Sequence, residues 1–228
     1  MRIAIITAMD KETMPLLQKI GHVTGSEIAG GNPVYRFFVD PHDIFMITSG
    51  IGEIQAAAAT QLAIDKYEAQ LIINIGYAGA ISHDLRVGEI VVAERVVHHQ
   101  FDLSGIDNLR RGQYENRQDV YFNLSKNIID MLESVIGGYK KVTVASGDSF
   151  IASNEDKKRL RENFKADICD MELAGIAIVA LKNKVPVFSI KLLSDNADNM
   201  GKETYSAFVK SGLYESNANL ASILRALK

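Results

Sequence analysis

The chain has 228 residues, of which 47% are hydrophobic and 23% are charged, and its formal net charge is −3. This size and balance predict one globular domain over residues 1–228, and the mixed charges give no indication of a nucleic-acid-binding surface. The single cysteine, Cys169, excludes an internal disulfide, and the first apolar run is too short to span a membrane. We therefore expect a soluble, cytoplasmic protein that binds neither nucleic acid nor membrane.

Short apolar strands alternate with helices along the whole chain. The predicted strands are residues 2–7, 34–39, 44–48, 71–75, 89–97, 141–145 and 185–193. The predicted helices are residues 9–20, 53–67, 120–136, 154–164, 173–181 and 205–227, and the polar segment 102–118 is predicted to be a surface loop. This alternation is typical of a single α/β domain, with a mixed but mainly parallel central sheet flanked by helices.

Polar residues and glycines follow several of the predicted strands. They are Met9 and Glu12, residues 50–52, residues 76–79, residues 146–151, and Ser194 with Asp195. Open α/β sheets bind their ligands beside the carboxyl ends of their strands. If the strands are parallel, these groups lie along one edge of the sheet, where glycines let the backbone approach a ligand closely.

Three carboxylates border the apolar segments 173–181 and 185–193. Asp170 and Glu172 precede the helix, and Asp195 follows the strand. Taken singly, Glu172 has a structural interpretation as an acid favoured at a helix start, and Asp195 has one as a turn residue. Their convergence with Phe150 and several glycines favours a binding site.

Other kinds of site lack support in the sequence. Neither a G-x-G-x-x-G nor a G-x-x-x-x-G-K-[ST] phosphate motif is present, and no serine lies in a G-x-S-x-G elbow. His98 and His99 are adjacent on a predicted strand and point to opposite faces, so they cannot hold one metal ion together. Cys169 is interpreted as a packing residue. We expect neither a metal ion nor a cofactor.

Short motifs along the chain resemble those of the 5′-methylthioadenosine/S-adenosylhomocysteine nucleosidases, within the nucleoside phosphorylase superfamily. They are residues 3–12 (IAIITAMDKE), 49–52 (SGIG), 74–79 (NIGYAG), 87–91 (VGEIV), 146–151 (SGDSFI), 170–172 (DME) and 194–197 (SDNA). The resemblance runs nearly from end to end. It implies a nucleoside phosphorylase-like fold and hydrolysis of the N-glycosidic bond of 5′-substituted adenine nucleosides to adenine and the 5-substituted ribose.

The resemblance also implies catalytic roles. Asp195 is similar to the general acid that protonates purine N7, with Ser194 beside it, and Glu12 resembles the group that activates the attacking water. This chemistry is sensible, because bond cleavage leaves negative charge on the base and positive charge on the sugar. An aspartic acid with an ordinary pKa of about 3.9 must have its pKa raised to act as an acid near neutral pH.

Further residues match positions around the family's substrate. Glu172 and the backbone of Met171 resemble the ribose site, Phe150 resembles the residue that stacks on adenine, and Ile151 offers backbone atoms to the edge of the base. The other matching positions are Gly79, Tyr77, Met9, Ile51, Tyr205 and Phe208. Residues 102–118 correspond to the loop near the neighbouring site in the family's homodimer. We therefore expect a homodimer that binds a purine nucleoside.

Three residues depart from the family pattern: Tyr77 replaces Ser or Thr, Lys191 replaces Arg, and Asp170 replaces Glu. The side chain of Tyr77 has two possible positions, the pocket or the core. These departures leave open a divergent, non-catalytic nucleoside-binding relative. A purine nucleoside phosphorylase is the other alternative, but phosphorylases bind phosphate with arginines where this sequence has Glu12 and Asn74. Water is therefore favoured as the nucleophile.

Overall fold

The computed structural model of the chain describes residues 1–20, 22–211 and 220–227. Strands β1–β10 are Arg2–Thr7, Val23–Ala29, Asn32–Val39, His42–Thr48, Leu71–Ala80, Ile90–His98, Tyr121–Asn123, Lys140–Ser146, Ile168–Asp170 and Val187–Asp195. Helices α1–α8 are Asp10–Ile20, Glu53–Tyr67, Ser104–Asp107, Lys126–Ile136, Asn154–Phe164, Leu173–Lys182, Gly201–Ser211 and Leu220–Ala226. Within these described ranges, no helix is long and apolar enough to cross a membrane.

The strands form one mixed sheet in the order β10-β6-β8-β9-β5-β1-β4-β3-β2, with β7 paired to β6. β1 is parallel to β4 and β5, and β5 is parallel to β10. β6 runs antiparallel to β10, and β9 runs antiparallel to β5. An additional pairing between β5 and β10 closes β10, β6, β8, β9 and β5 into a ring. The predicted α/β class and mixed sheet are confirmed.

The core lies along β5 and β10, where every residue of both strands is buried. Such continuous burial explains their nearly unbroken apolar sequences, because both faces of each strand are covered. α2 packs against α6 with small side chains, since Ala56, Ala59 and Ala63 are all buried. This packing holds the start of each helix beside the ends of the central strands.

The segment 76–79, predicted to follow the strand of residues 71–75, is instead part of β5. Gly79 pairs with Asp195 of β10 on one side and with Cys169 of β9 on the other. Ring closure needs both edges of β5 to stay paired beyond Ile75, and this long-range requirement extends the strand. β10 likewise continues through Asp195, so Ser194 and Asp195, which were predicted to follow this strand, lie within it.

The helix predicted over residues 120–136 is wrong in its first part. Tyr121–Asn123 forms β7, and α4 begins at Lys126 after its N-cap Ser125. Val120, Phe122 and Leu124 are buried, whereas the two residues between them are not. Burial at every second residue is the pattern of a strand, because successive side chains of a strand point to opposite faces.

The helix predicted over residues 205–227 is also wrong in its bounds. α7 begins at Gly201 and ends at Ser211, α8 covers Leu220–Ala226, and residues 212–219 lie outside the described residues. α7 begins early because Asp198 organises a turn before it. The N–H of Gly201 donates to the Asp198 carbonyl (2.8 Å), and the N–H of Met200 donates to Asp198 Oδ1 (2.9 Å).

Two strands and a short helix had no counterpart in the sequence-based prediction. β2 is largely exposed, with only Ala29 buried, and β9 has three residues. α3 is a four-residue helix within the loop predicted over residues 102–118. Elements this short or this polar lack the run of periodic apolar residues on which sequence-based prediction depends.

Candidate active site

A cavity of about 290 Å³ lies at the carboxyl ends of β5, β9 and β10 and beside the start of α1. All the predicted site residues except Phe208 line it, and Ala78, Ser149, Cys169 and Asp170 line it as well. The sequence-based argument assumed that the strands before these residues are all parallel. β8 and β9 instead run opposite to β5 and β10, so parallel strands alone do not bring the residues together. The closed ring brings the segment after β8 to the same cavity.

Phe208 is 3% exposed and packs behind Tyr77, with 5.5 Å between the two ring centroids. It lies one helical turn beyond Tyr205 on α7 and therefore shares its face of the helix. Tyr205 reaches the cavity, whereas the additional turn carries Phe208 into a cluster with Leu192. Phe208 supports the wall without forming it.

The Asp195 carboxylate lies beside Gly79, the residue it pairs with on β5. A Cβ atom at Gly79 would be only 2.9 Å from Asp195 Oδ1, so a glycine is needed for this approach. Ser194 Oγ donates to Asp195 Oδ2 (2.8 Å), and the N–H of Ala197 donates to Oδ1 (2.9 Å). Burial raises the pKa of Asp195, although these two hydrogen bonds oppose the change. A raised pKa favours the protonated form that a general acid requires.

The Glu12 carboxylate is held by three backbone N–H groups. Those of Ala8 (2.8 Å) and Met9 (3.0 Å) donate to Oε2, and that of Tyr77 (3.0 Å) donates to Oε1. Burial raises the pKa of Glu12, while these hydrogen bonds and the charge of Lys191 act in the opposite direction. The first turn of α1 therefore fixes a carboxylate in place at the cavity wall.

A buried ion pair joins Lys191 to Asp170, with 2.5 Å between Nζ and Oδ2. Burial alone would lower the pKa of Lys191, but the charges of Asp170 and Glu172 outweigh it and raise the pKa. The N–H of Gly52 donates to Glu172 Oε1 (3.0 Å). Burial, followed by the charge of Asp170, raises the pKa of Glu172 to about 7. Lys191 and Asp170, which both depart from the family pattern, thus pair with each other.

Glu53 is a supporting residue that the sequence analysis did not identify. Its side chain accepts hydrogen bonds from Ser146 Oγ (2.6 Å) and from the N–H of Gly175. Its own N–H donates to Asp148 Oδ1 (2.7 Å). Burial raises the pKa of Glu53 to about 8. Glu53 thereby connects the starts of α2 and α6 to the segment after β8; in the sequence it resembled an ordinary helix-start acid.

Cys169 lines the cavity but is only 7% exposed. Its Sγ donates to the Gly79 carbonyl over 3.7 Å, and burial raises the pKa of the thiol. A raised pKa disfavours the thiolate, which is the nucleophilic form of cysteine. These features agree with the interpretation of Cys169 as a packing residue.

Asn74, which was compared above with a phosphorylase arginine, is turned into the structure. Its Nδ2 donates to the Ile6 carbonyl (3.2 Å), and its Oδ1 accepts from Ser189 Oγ (2.9 Å). Asn74 therefore ties β5 to β1 and β10. In the part of the chain that the structure describes, no arginine lines the cavity.

The model of the phosphorylase superfamily matches residues 2–228. The 5′-methylthioadenosine/S-adenosylhomocysteine nucleosidase of Hydrogenovibrio crunogenus is 32% identical, and that of Tolumonas auensis is 30% identical, with all of each chain covered.

Two solved structures are similar to this chain over nearly its whole length. The Helicobacter pylori 5′-methylthioadenosine/S-adenosylhomocysteine nucleosidase with butyl-thio-DADMe-Immucillin-A has a TM-score of 0.93 at 28% identity, covering 99% of this chain and 98% of that one. The futalosine hydrolase of Helicobacter pylori has a TM-score of 0.90 at 28% identity, covering 99% of this chain and 96% of that one. The full-length matches show that this chain belongs to the 5′-methylthioadenosine/S-adenosylhomocysteine nucleosidase family of the phosphorylase superfamily.

Proposed function

We propose that the protein hydrolyses the N-glycosidic bond of 5′-methylthioadenosine and S-adenosylhomocysteine, releasing adenine and the 5-substituted ribose. The observation that carries this proposal is the presence in one cavity of two buried carboxyl groups with different partners. Asp195 is held by a hydroxyl and one backbone N–H, and Glu12 is held by three backbone N–H groups. The different environments suit Asp195 for giving a proton and Glu12 for accepting one.

In the proposed mechanism, protonated Asp195 donates to the purine base as the bond between the base and the sugar breaks. Neutralising the departing base lowers the barrier to cleavage. The carboxylate that remains is stabilised by the Ser194 hydroxyl and the Ala197 N–H, which already donate to it. Phe150, 46% exposed, stacks on the base from the cavity wall.

Glu12 takes a proton from a water molecule. The oxygen of this water attacks the sugar carbon whose bond to the base breaks. Its three N–H partners hold the carboxylate without supplying a proton, so it remains available as a base. Glu172 binds the ribose hydroxyls. Negative charge in this region also stabilises the positive charge that develops on the sugar.

Water is a better nucleophile than phosphate for this cavity because its titratable lining is acidic. Glu12, Asp170, Glu172 and Asp195 all line it. The nearby Lys191 is already paired with Asp170. A phosphate dianion entering the cavity would meet like charges without an arginine to bind it.

A second candidate is hydrolysis of futalosine, which the structural similarity to the Helicobacter pylori futalosine hydrolase favours. A turnover assay decides between the candidates by measuring adenine or hypoxanthine release from methylthioadenosine, adenosylhomocysteine, futalosine and adenosine. We expect the first two to be cleaved with the highest kcat/KM. A higher kcat/KM for futalosine would reassign the substrate, and no release from any of them would favour the non-catalytic alternative.

We also propose that the protein is a homodimer. Three exposed isoleucines support this proposal: Ile51 in the cavity lining is 51% exposed, Ile54 in the first turn of α2 is 81% exposed, and Ile106 in α3 is 81% exposed. Large apolar side chains on a protein surface can mark a protein–protein interface. The segment 102–118, which contains Ile106, would then lie near the neighbouring site.

Tyr77 supplies a prediction about substrate choice. Its side chain lines the cavity and is also packed, since its ring contacts those of Tyr205 and Phe208 edge-on. Tyr77→Ser removes this part of the wall. It should change the ratio of kcat/KM between methylthioadenosine and other purine nucleosides by tenfold or more, about 1.4 kcal/mol of transition-state binding.

Tyr77→Phe is the matched control for this prediction. It keeps the ring and loses only the hydroxyl, which donates to the Lys11 carbonyl over 3.4 Å. We expect its kcat/KM ratio to remain within about twofold of the parent ratio. If Tyr77→Ser is folded and also keeps the parent ratio, Tyr77 does not set specificity.

A further inference from the structure

We infer that Glu53 is a positioning residue that orients Glu172 towards the ribose hydroxyls, so that the cavity favours a ribose over its dideoxy form. The inference rests on the proposed function, in which Glu172 binds those hydroxyls. It starts from a contact in the cavity wall: the N–H of Gly52, the residue before Glu53, donates to Glu172 Oε1 (3.0 Å). Glu53 itself is buried, at 6% exposure, and is not among the described residues that line the cavity. It therefore acts through this contact and not by touching the ligand.

The direction of the Glu172 carboxylate depends on Gly52. Within the described ranges, the N–H of Gly52 is the one hydrogen-bond donor to this carboxylate. Asp195, by comparison, has two donors and Glu12 has three. The charge of Asp170 beside it repels the ionised form of Glu172. A movement of the Gly52 N–H would therefore turn the carboxylate.

Glu53 holds both sides of this contact. Its Oε2 accepts from the N–H of Gly175 in the first turn of α6, the helix for which Glu172 is the N-cap residue. Its Oε1 is hydrogen-bonded to Ser146 Oγ (2.6 Å), and Ser146 Oγ accepts in turn from the N–H of Ala174 (3.0 Å). The start of α2 is therefore tied twice to the start of the helix that carries Glu172.

Close packing leaves the backbone at Gly52 little freedom. Its φ is +105°, and a Cβ atom there would be only 2.8 Å from Asp148 Oδ1. The same oxygen accepts from the N–H of Glu53 (2.7 Å). A Cβ atom at Gly175 would overlap the Glu53 carbonyl. The two glycines thus let α2 and α6 begin in contact, and this contact directs the N–H of Gly52 at Glu172.

Stabilisation of a helix start does not explain the burial of Glu53. A surface acid is sufficient for that purpose, as at Glu155, which is exposed in the first turn of α5. Burial, followed by the charge of Asp170, raises the pKa of Glu53 to about 8. Burying a carboxyl group costs free energy unless its hydrogen bonds are satisfied. The bonds that satisfy Glu53 are those that join the two helix starts.

A matched pair of ligands tests the inference: the 7-deaza analogue of methylthioadenosine and its 2′,3′-dideoxy derivative. A base without N7 cannot take the proton from Asp195, so both ligands bind without being cleaved, and calorimetry gives their Kd values. The parent protein should bind the ribose form about tenfold more tightly than the dideoxy form. Glu53→Ala should weaken binding of the ribose form about fivefold, the loss expected for one hydrogen bond, and should change the dideoxy form by less than about twofold.

Three further variants complete the test. Glu53→Gln should keep the parent preference, because its carbonyl oxygen can accept from Gly175 and its amide can donate to the Ser146 hydroxyl. Glu53→Asp is one methylene shorter and should show the same selective loss as Glu53→Ala, and it carries the test if the alanine variant does not fold. Glu155→Ala is the matched control and should leave both Kd values unchanged.

Equal weakening of both ligands in a folded Glu53→Ala or Glu53→Asp variant would give Glu53 a structural role alone and overturn the inference. Unchanged Kd values in these variants would overturn it as well. Equal binding of both ligands by the parent would remove Glu172 from the ribose site, and the inference with it. A parent protein that releases adenine from no nucleoside would overturn the proposed function, whereas the binding test would still decide what Glu53 does.

Discussion

Asp195→Asn should lower kcat/KM for methylthioadenosine by about 10²- to 10⁴-fold, the range expected for loss of a general acid. The amide has nearly the same shape as the carboxyl group, and it can still accept from the Ser194 hydroxyl. It cannot deliver a proton to the departing base. Steady-state adenine release measures the loss, and thermal unfolding verifies that the variant is folded.

Asp65→Asn is the matched control, because it makes the same chemical change on the exposed side of α2. Its activity should equal that of the parent. The parent should also lose kcat/KM as the pH rises through the raised pKa of Asp195, since only the protonated acid is active. Near-parental turnover by a folded Asp195→Asn variant would remove Asp195 from the mechanism.

Lys191→Met should destabilise the folded protein by about 3–5 kcal/mol, because it leaves the Asp170 carboxylate buried without its partner. Both side chains are almost fully inaccessible, at 1% and 0% exposure. Urea unfolding at neutral pH gives the free energy of unfolding. A double variant, Lys191→Met with Asp170→Asn, should recover part of the loss because it removes the unpaired charge as well.

Lys66→Met provides the comparison, since Lys66 forms an exposed ion pair with Glu27 over 2.7 Å. Exposed pairs contribute about 0–1 kcal/mol, so its loss should be small. A Lys191→Met variant no less stable than Lys66→Met would show that the buried pair does not hold the site together.

Much of the fold could be predicted from the sequence because its central strands are continuous apolar runs. β1, β5 and β10 are recognisable from their own residues, since burial on both faces demands apolar side chains throughout. The ends of β5 and β10 were not predictable in this way. They remain strands because Gly79 pairs with neighbours about 90 and 116 residues away, and local sequence does not encode such pairing.

The candidate site could likewise be predicted only in part from the sequence. Motifs led to Asp195 and Glu12, and the structure places both at one cavity, but their assigned roles remain predictions. Glu53 was not found, because a helix-start acid carries no sign that its side chain will accept from the start of another helix. Phe208 was placed in the cavity because it matches a position around the family's substrate, and the sequence does not tell where the cavity ends.

The most direct test of the proposed hydrolysis is a product analysis of methylthioadenosine turnover in ¹⁸O-labelled water with phosphate present. Glu12 in an acidic cavity predicts attack by water, so the products should be adenine and free 5-methylthioribose carrying one ¹⁸O atom from solvent. The ¹⁸O content should be the same when phosphate is left out. Formation of 5-methylthioribose 1-phosphate would contradict the account and identify the protein as a phosphorylase.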